Sequence, residues 1–236
     1  MKNRCCSRTL AAKITNDMPR IFAVRHGRTD WNAQGRVQGG GSLDQLGNLQ
    51  IQALAERLKG ETIHAAYCSP VLRTKQTAYI LVEPHYVTVK EHKDLVDLDY
   101  GIYSGALLEE VRTSDPVLWE MWDRAPNSVH FPSGESLEGL RRRMGRLLSE
   151  MVKNHKDQNV LLSTHDSPVR VLSCMAMGLD DSYHHLSKIA LGSLTILDVD
   201  ESGVTMILHN DATHLQGIID SQFQIEEQGR SSENQI

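Results

Sequence analysis

The chain has 236 residues, 40% of them hydrophobic and 23% charged, with 25 Lys and Arg against 30 Asp and Glu and a formal net charge of −5. That length suits one substantial domain and that composition a folded one, while an acidic balance with only 5% aromatics supplies neither a basic field nor stacking platforms for nucleic acid. No apolar run reaches the ~18 residues that cross a bilayer, and Cys5, Cys6, Cys68 and Cys174 show no CxxC or framework spacing, which predicts reduced thiols, a cytoplasmic location, no structural metal and a small ligand.

In chain order, Met1 to Asn16 hold Lys2, Arg4, Arg8 and Lys13 and no acid. Lacking a long apolar or amphipathic stretch, they read as part of a flexible extension over 1–19 and not as a targeting peptide. RIFAV, residues 20–24, is a short apolar run that suits a buried strand stopping at Arg25-His26-Gly27. Residues 46–58 place Leu46, Leu49, Ile51, Leu54 and Leu58 near helical spacing, with Gly60 beyond as a stop. AAYC, 65–68, reads as a strand ending at Ser69-Pro70, and 72–81 as a helix halted at Pro84. Helices follow over 116–124 and 137–152, the second with Arg141-Arg142-Arg143 read as a solvated face. NVLLS, 159–163, is a further buried strand running into Thr164-His165-Asp166, after which Ser167 is placed to cap a helix with Pro168 at its first position. A hairpin over 194–199 and 204–209 turns at Ser202-Gly203. The polar tail EEQGRSSENQI, 226–236, predicts disorder.

Strands alternating with helices predict a single three-layer α/β/α domain over 20–225, with a mostly parallel sheet and a helical insertion between about Gly105 and Gly134. Ligands of such sheets bind beyond the carboxyl ends of the strands, where His26, Ser69 and His165 fall. Arg25 and His26 are suited to a phosphate monoester, whose charge of about −2 calls for guanidinium forks, imidazoles and backbone amides; Gly27 is read as a source of such an amide.

VRHGRTDWN, residues 24–32, resembles the signature of the histidine phosphatase superfamily, also called the phosphoglycerate mutase-like family. SPVLRTKQTA (69–78) is similar to its second motif, FPSGES (131–136) to its PxGES segment, and LLSTHDSPVR (161–170) to its second-histidine motif, all in the expected order. The resemblance implies that His26 is the nucleophile, that Arg25, Arg73 and His165 are catalytic and bind the phosphate oxygens with help from Asn32, and that neither cofactor nor metal is needed. It further implies a phosphomonoester hydrolase that acts on a small phosphorylated metabolite through a phosphohistidine. Asp166 stands where the family commonly has glycine and places an extra carboxylate near the pocket. The acid motif reads LVDLDYG, 95–101, with Asp97 in register for the general acid; alternation alone does not separate Asp97 from Asp99. His184 and His185 lack ligand spacing and read as bland. A phosphoglycerate mutase is the alternative, disfavoured by the short span between Gly105 and Gly134, and a catalytically idle binding protein is disfavoured by the complete residue set. The pattern carries no signal for oligomeric state.

Overall fold

A computed structural model describes residues 18–37, 40–186 and 188–218. Nearly all of the predicted extension, the tail, and Cys5 and Cys6 therefore lie outside the described residues. Six strands form one sheet: β1 (Arg20–Arg25), β2 (Ala65–Cys68), β3 (Val89–Glu91), β4 (Asn159–Thr164), β5 (Leu194–Asp200) and β6 (Gly203–Asp211), in the order β3-β2-β4-β1-β5-β6. β1–β4, β2–β4 and β2–β3 pair in parallel, whereas β5 runs antiparallel to both β1 and β6. The sheet is thus mostly parallel, with the predicted hairpin at one edge.

The period of two along the central strands divides the core into two layers. Ile21 and Ala23 of β1, with Val160 and Leu162 of β4, face one cluster; Phe22 and Val24, with Leu161, face the other. The first is completed by Leu140, Met144 and Leu147 of α6 (Leu137–Asn154) and by Val169 and Leu172 of α7 (Asp166–Ala176). The second is completed by Ile51, Leu54 and Leu58 of α2 (Gln45–Leu58) and by Leu81 and Val82 of α3 (Leu72–Val82). β1 is therefore apolar on both faces, which is why RIFAV reads as a continuous run.

Helix ends follow local chemistry. Asp44 caps α2 by accepting from the Gly47 amide, and Ser136 caps α6 by accepting from Gly139. The insertion carries α4 (Leu108–Ser114) and α5 (Pro116–Arg124), the latter capped by Asp115 with proline in its first turn. α7 corrects the expected boundary: His165 is its N-cap and Asp166 its first residue, so Ser167 does not cap it. Pro168 remains within the first turn, where a missing N–H costs no helical bond. Three short elements left no periodicity to read: α1 (Asp30–Ala33), β3 and α4. The arginine run is a second correction. Arg142 is exposed beside Glu138, but Arg141 pairs with Asp181 and Arg143 is buried.

Candidate active site

β2, β4 and β1 are neighbours, and their carboxyl ends deliver Ser69, His165 and His26 to one place. Arg73, in the first turn of α3, lies between the two imidazoles: its Nε donates to His26 Nε2 at 3.0 Å and its Nη2 donates to His165 Nδ1 at 3.0 Å. Both histidines and Arg73 are buried. A guanidinium only donates, so the two contacted ring nitrogens carry lone pairs. His26 then holds its proton on Nδ1, which donates to the Gly27 carbonyl at 2.8 Å, and His165 holds its proton on Nε2, which donates to Ser69 Oγ at 2.9 Å. Burial, reinforced by Arg73 and Arg25, keeps the pKa of His26 well below the usual histidine value. Burial, then Arg73 and His26, does the same to His165. Two neutral imidazoles of fixed tautomer face one cation, and of the two rings His26 is the one that lines the cavity shared with Asp97 and Asn32.

Gly27 does not serve as expected. Its amide donates to Thr77 Oγ1 at 3.3 Å, and the space around its Cα is filled by the Gly47 carbonyl and Ile51 of α2. The motif's glycine is there so that α2 can pack against the strand end. Arg25 lies at the cavity wall, where its Nη1 contacts the Ile189 carbonyl and sits 3.1 Å from Asp166 Oδ1; its buried Nε has no hydrogen-bond partner. Asp166 Oδ2 in turn accepts from Arg170 Nε at 2.7 Å. The unusual aspartate is thus the counter-charge between two arginines, one helical turn apart from Arg170.

Asp97 and Asp99 are separated by the path of the chain. Residues 96–100 belong to no helix or strand, so strand alternation does not apply. Asp97 lines the same cavity as His26, its Oδ1 accepting from the Leu98 amide at 3.0 Å. Asp99 is exposed and accepts from the Gly101 amide at 2.8 Å, as a turn residue. Burial raises the pKa of Asp97 above the ordinary carboxyl value against the pull of Arg73, and Asp166 raises it further. Asn32 also lines the cavity. Its Oδ1 accepts from Thr29 in a capping box, which holds the carboxamide in place.

The cavity has a volume of about 480 Å³. Its outer wall comes from residues whose role was not legible in the sequence: Tyr100, Trp119 and Trp122 give aromatic surface, while Arg36, Arg112 and Lys188 bring positive charge. Arg112 is neutralised by a two-bond pair with Asp123, at 2.7 and 2.9 Å. Arg36 and Lys188 have no carboxylate partner among the described residues. His185, read as bland, reaches this wall and bonds to the Trp122 carbonyl at 2.9 Å; His184 beside it is buried with neither ring nitrogen bonded. Among the described residues no three His, Cys, Asp or Glu side chains are grouped to hold a metal ion, and no helix is long and apolar enough to cross a membrane.

The family model described as histidine phosphatase superfamily (branch 1) matches residues 21–212. The chain belongs to this superfamily. Among curated relatives of this histidine phosphatase, phosphoserine phosphatase 1 of Hydrogenobacter thermophilus is 31% identical over 200 residues, which is 84% of this chain and 95% of the relative. The metal-independent phosphoserine phosphatase of Arabidopsis thaliana is 33% identical over 211 residues, covering 87% of both chains. Among solved structures, Bacillus stearothermophilus YhfR superposes with a TM-score of 0.80 at 24% identity, over 84% of this chain and 99% of that one, which shows the shared fold. The superfamily match and these relatives favour a phosphatase over the mutase alternative: the enzyme is a phosphomonoester hydrolase.

Proposed function

We propose that this phosphatase hydrolyses a small phosphorylated metabolite by passing the phosphoryl group through His26 Nε2. The observation that carries the reading is the buried pair of neutral imidazoles joined by Arg73, with the lone pair of His26 held ready by the Nδ1 bond to Gly27. In the first step the His26 Nε2–phosphorus bond forms as the ester P–O bond breaks, and the Asp97 proton passes to the leaving oxygen. In the second, a water oxygen bonds to phosphorus, the N–P bond breaks, and Asp97 takes the water's proton back. Arg25, Arg73 and Asn32 bind the non-bridging oxygens and stabilise the charge that a loose transition state spreads over them, and His165, whose Nδ1 accepts from Arg73 in the free enzyme, joins them by taking up a proton beside the dianion. The raised pKa of Asp97 suits a carboxyl that must begin protonated, and a dianionic phosphate beside it would raise it further.

Two relatives are named phosphoserine phosphatases. Arg36 and Lys188, cations of the outer wall without a carboxylate partner among the described residues, suit a substrate that carries a carboxylate next to its phosphate ester, as phosphoserine does. The insertion offers only two short α-helices, of 7 and 9 residues, and a 3-10 turn at Pro126–Ser128, little cover for excluding water from a phosphoenzyme.

The test is chemical. His26→Ala should abolish turnover of p-nitrophenyl phosphate and phosphoserine while the fold is kept, and quenched wild type should hold an acid-labile, base-stable phosphate that the variant lacks. Label on an Asp or Ser would overturn the reading. Asp97→Asn should damage an alkyl phosphate far more than the aryl ester, whose leaving group needs little protonation; that selectivity in Asp99→Asn instead would name the other acid. With 3-phosphoglycerate, released phosphate should exceed any 2-phosphoglycerate.

A further inference from the structure

The segment that carries Asp97 is held in an unusual way. The carbonyls of Asp94, Leu95, Val96 and Asp97 all accept from side chains. Thr164 Oγ1 donates to Leu95, and the other three converge on one guanidinium, that of Arg143 on α6. Arg143 Nη1 donates to Asp94 O and to Val96 O at 2.6 Å each, and Nη2 donates to Asp97 O at 2.7 Å. The rest of the fork meets the Glu135 carboxylate, Nε to Oε1 and Nη2 to Oε2, both at 3.0 Å. An arginine has five N–H donors in one plane, and here each has an acceptor. Glu135 closes the arrangement through its backbone, whose amide donates to Asp99 O at 2.8 Å, while Gly134 packs against that same carbonyl. The segment from 94 to 99 is thereby clamped on both sides by residues of the α6 entrance.

We infer that Arg143, oriented by Glu135, is a positioning residue for proton transfer: by holding the carbonyls of Asp94, Val96 and Asp97, it fixes where the Asp97 carboxyl lies relative to the leaving oxygen. All five Arg143 donors are taken by the three carbonyls and the Glu135 carboxylate, so it acts through the acid and not on the substrate. The rigidity comes from the plane of the fork. A lysine ammonium is a point charge on a flexible stem and cannot meet three carbonyls and a carboxylate in one plane. The inference rests on Asp97 being the general acid, and the test separates the two.

Arg143→Lys and Arg143→Gln are compared with Asp97→Asn on p-nitrophenyl phosphate and on an alkyl phosphate such as phosphoserine. If Arg143 positions the acid, kcat on the alkyl ester falls by about 10- to 100-fold, the scale of a misplacement near 1 Å, with KM within about twofold and only a small loss on the aryl ester. Combined with Asp97→Asn, Arg143→Gln should add no further loss on the alkyl ester, because the group it positions is gone. Glu135→Gln, which keeps the three carbonyl bonds, is a milder variant for use if the others fail to fold and should show the same selectivity at smaller size. Equal losses on both esters, or a full additional loss in the double variant, would overturn the inference. If Asp97→Asn itself shows no leaving-group selectivity, the assignment of the acid has failed; if it does and the Arg143 and Glu135 variants do not, only the positioning role has.

Discussion

The glycine of the Arg-His-Gly motif makes a prediction that separates packing from phosphate binding. A Cβ placed on Gly27 would lie 2.6 Å from the Gly47 carbonyl oxygen and 2.9 Å from Ile51 Cγ1, where ordinary contacts begin at 3.4 Å. Gly27→Ala must therefore push the strand end and α2 apart by about 0.8 Å, the shortfall against backbone that cannot swing aside. Overpacking of this kind costs about 1–3 kcal/mol. Because the Gly27 carbonyl holds His26 Nδ1 and Arg28 follows at once in the chain, the shift also moves the nucleophile, and a displacement near 1 Å costs about 100-fold in rate. Gly60→Ala is the control, since nothing lies within 4 Å of the added carbon; at such a site the change is neutral or stabilises by about 0.4–1 kcal/mol. Urea midpoints with steady-state kinetics on p-nitrophenyl phosphate measure both quantities. Wild-type stability and kcat in Gly27→Ala, or equal effects from the two variants, would refute the reasoning.

Further outcomes follow from the same geometry. His26, His165 and His184 are buried imidazoles with pKa values below the usual 6.5, His184 at about 2. The unfolded chain therefore binds more protons than the native one below pH 6.5, and stability is lost as pH falls through that range, by up to about 1.4 kcal/mol per pH unit for each group; an equal urea midpoint at pH 7 and pH 5 would contradict this. His184→Leu removes two unbonded ring nitrogens that cost about 1–3 kcal/mol when buried, so it should hold or raise the midpoint at pH 7 and flatten its acid dependence, and a clear loss would count against it. Ser69→Ala leaves His165 Nε2 without its acceptor, and kcat should fall by about 10-fold as the ring loses its aim; unchanged kinetics would show that the bond does not matter. Asp166→Asn removes a charge that raises the pKa of Asp97, so the basic limb of kcat against pH should move to lower pH, and a limb that stays or moves upward would exclude the coupling.

Much of the fold was legible because it rests on local rules. RIFAV and NVLLS are apolar on both faces, AAYC stops at Ser-Pro, and Pro116 opens α5 where the sequence places it. The order of the motifs along those strand ends marks His26, Arg73 and His165 as candidates, and the sheet order β2-β4-β1 makes the ends of those strands adjacent. β3 and α4, of 3 and 7 residues, were missed because so few residues cannot display a period.

What the sequence by itself determined is the set of chemical groups and the strand ends that present them, because residue type, short-range periodicity and motif order are properties of the chain alone. Only the tertiary structure decided how those groups are held. Asp97 and Asp99 are two residues apart and alike in pattern, and one faces the cavity because the segment leaves strand geometry and is drawn down onto Arg143, 46 positions later in the chain. Arg143 itself sits in a run of three arginines of which only its neighbour Arg142 is exposed beside Glu138 as a solvated face should be. No local signal distinguishes an arginine whose five donors meet carbonyls from distant residues, since the acceptors exist as a cluster only once the chain has folded around them.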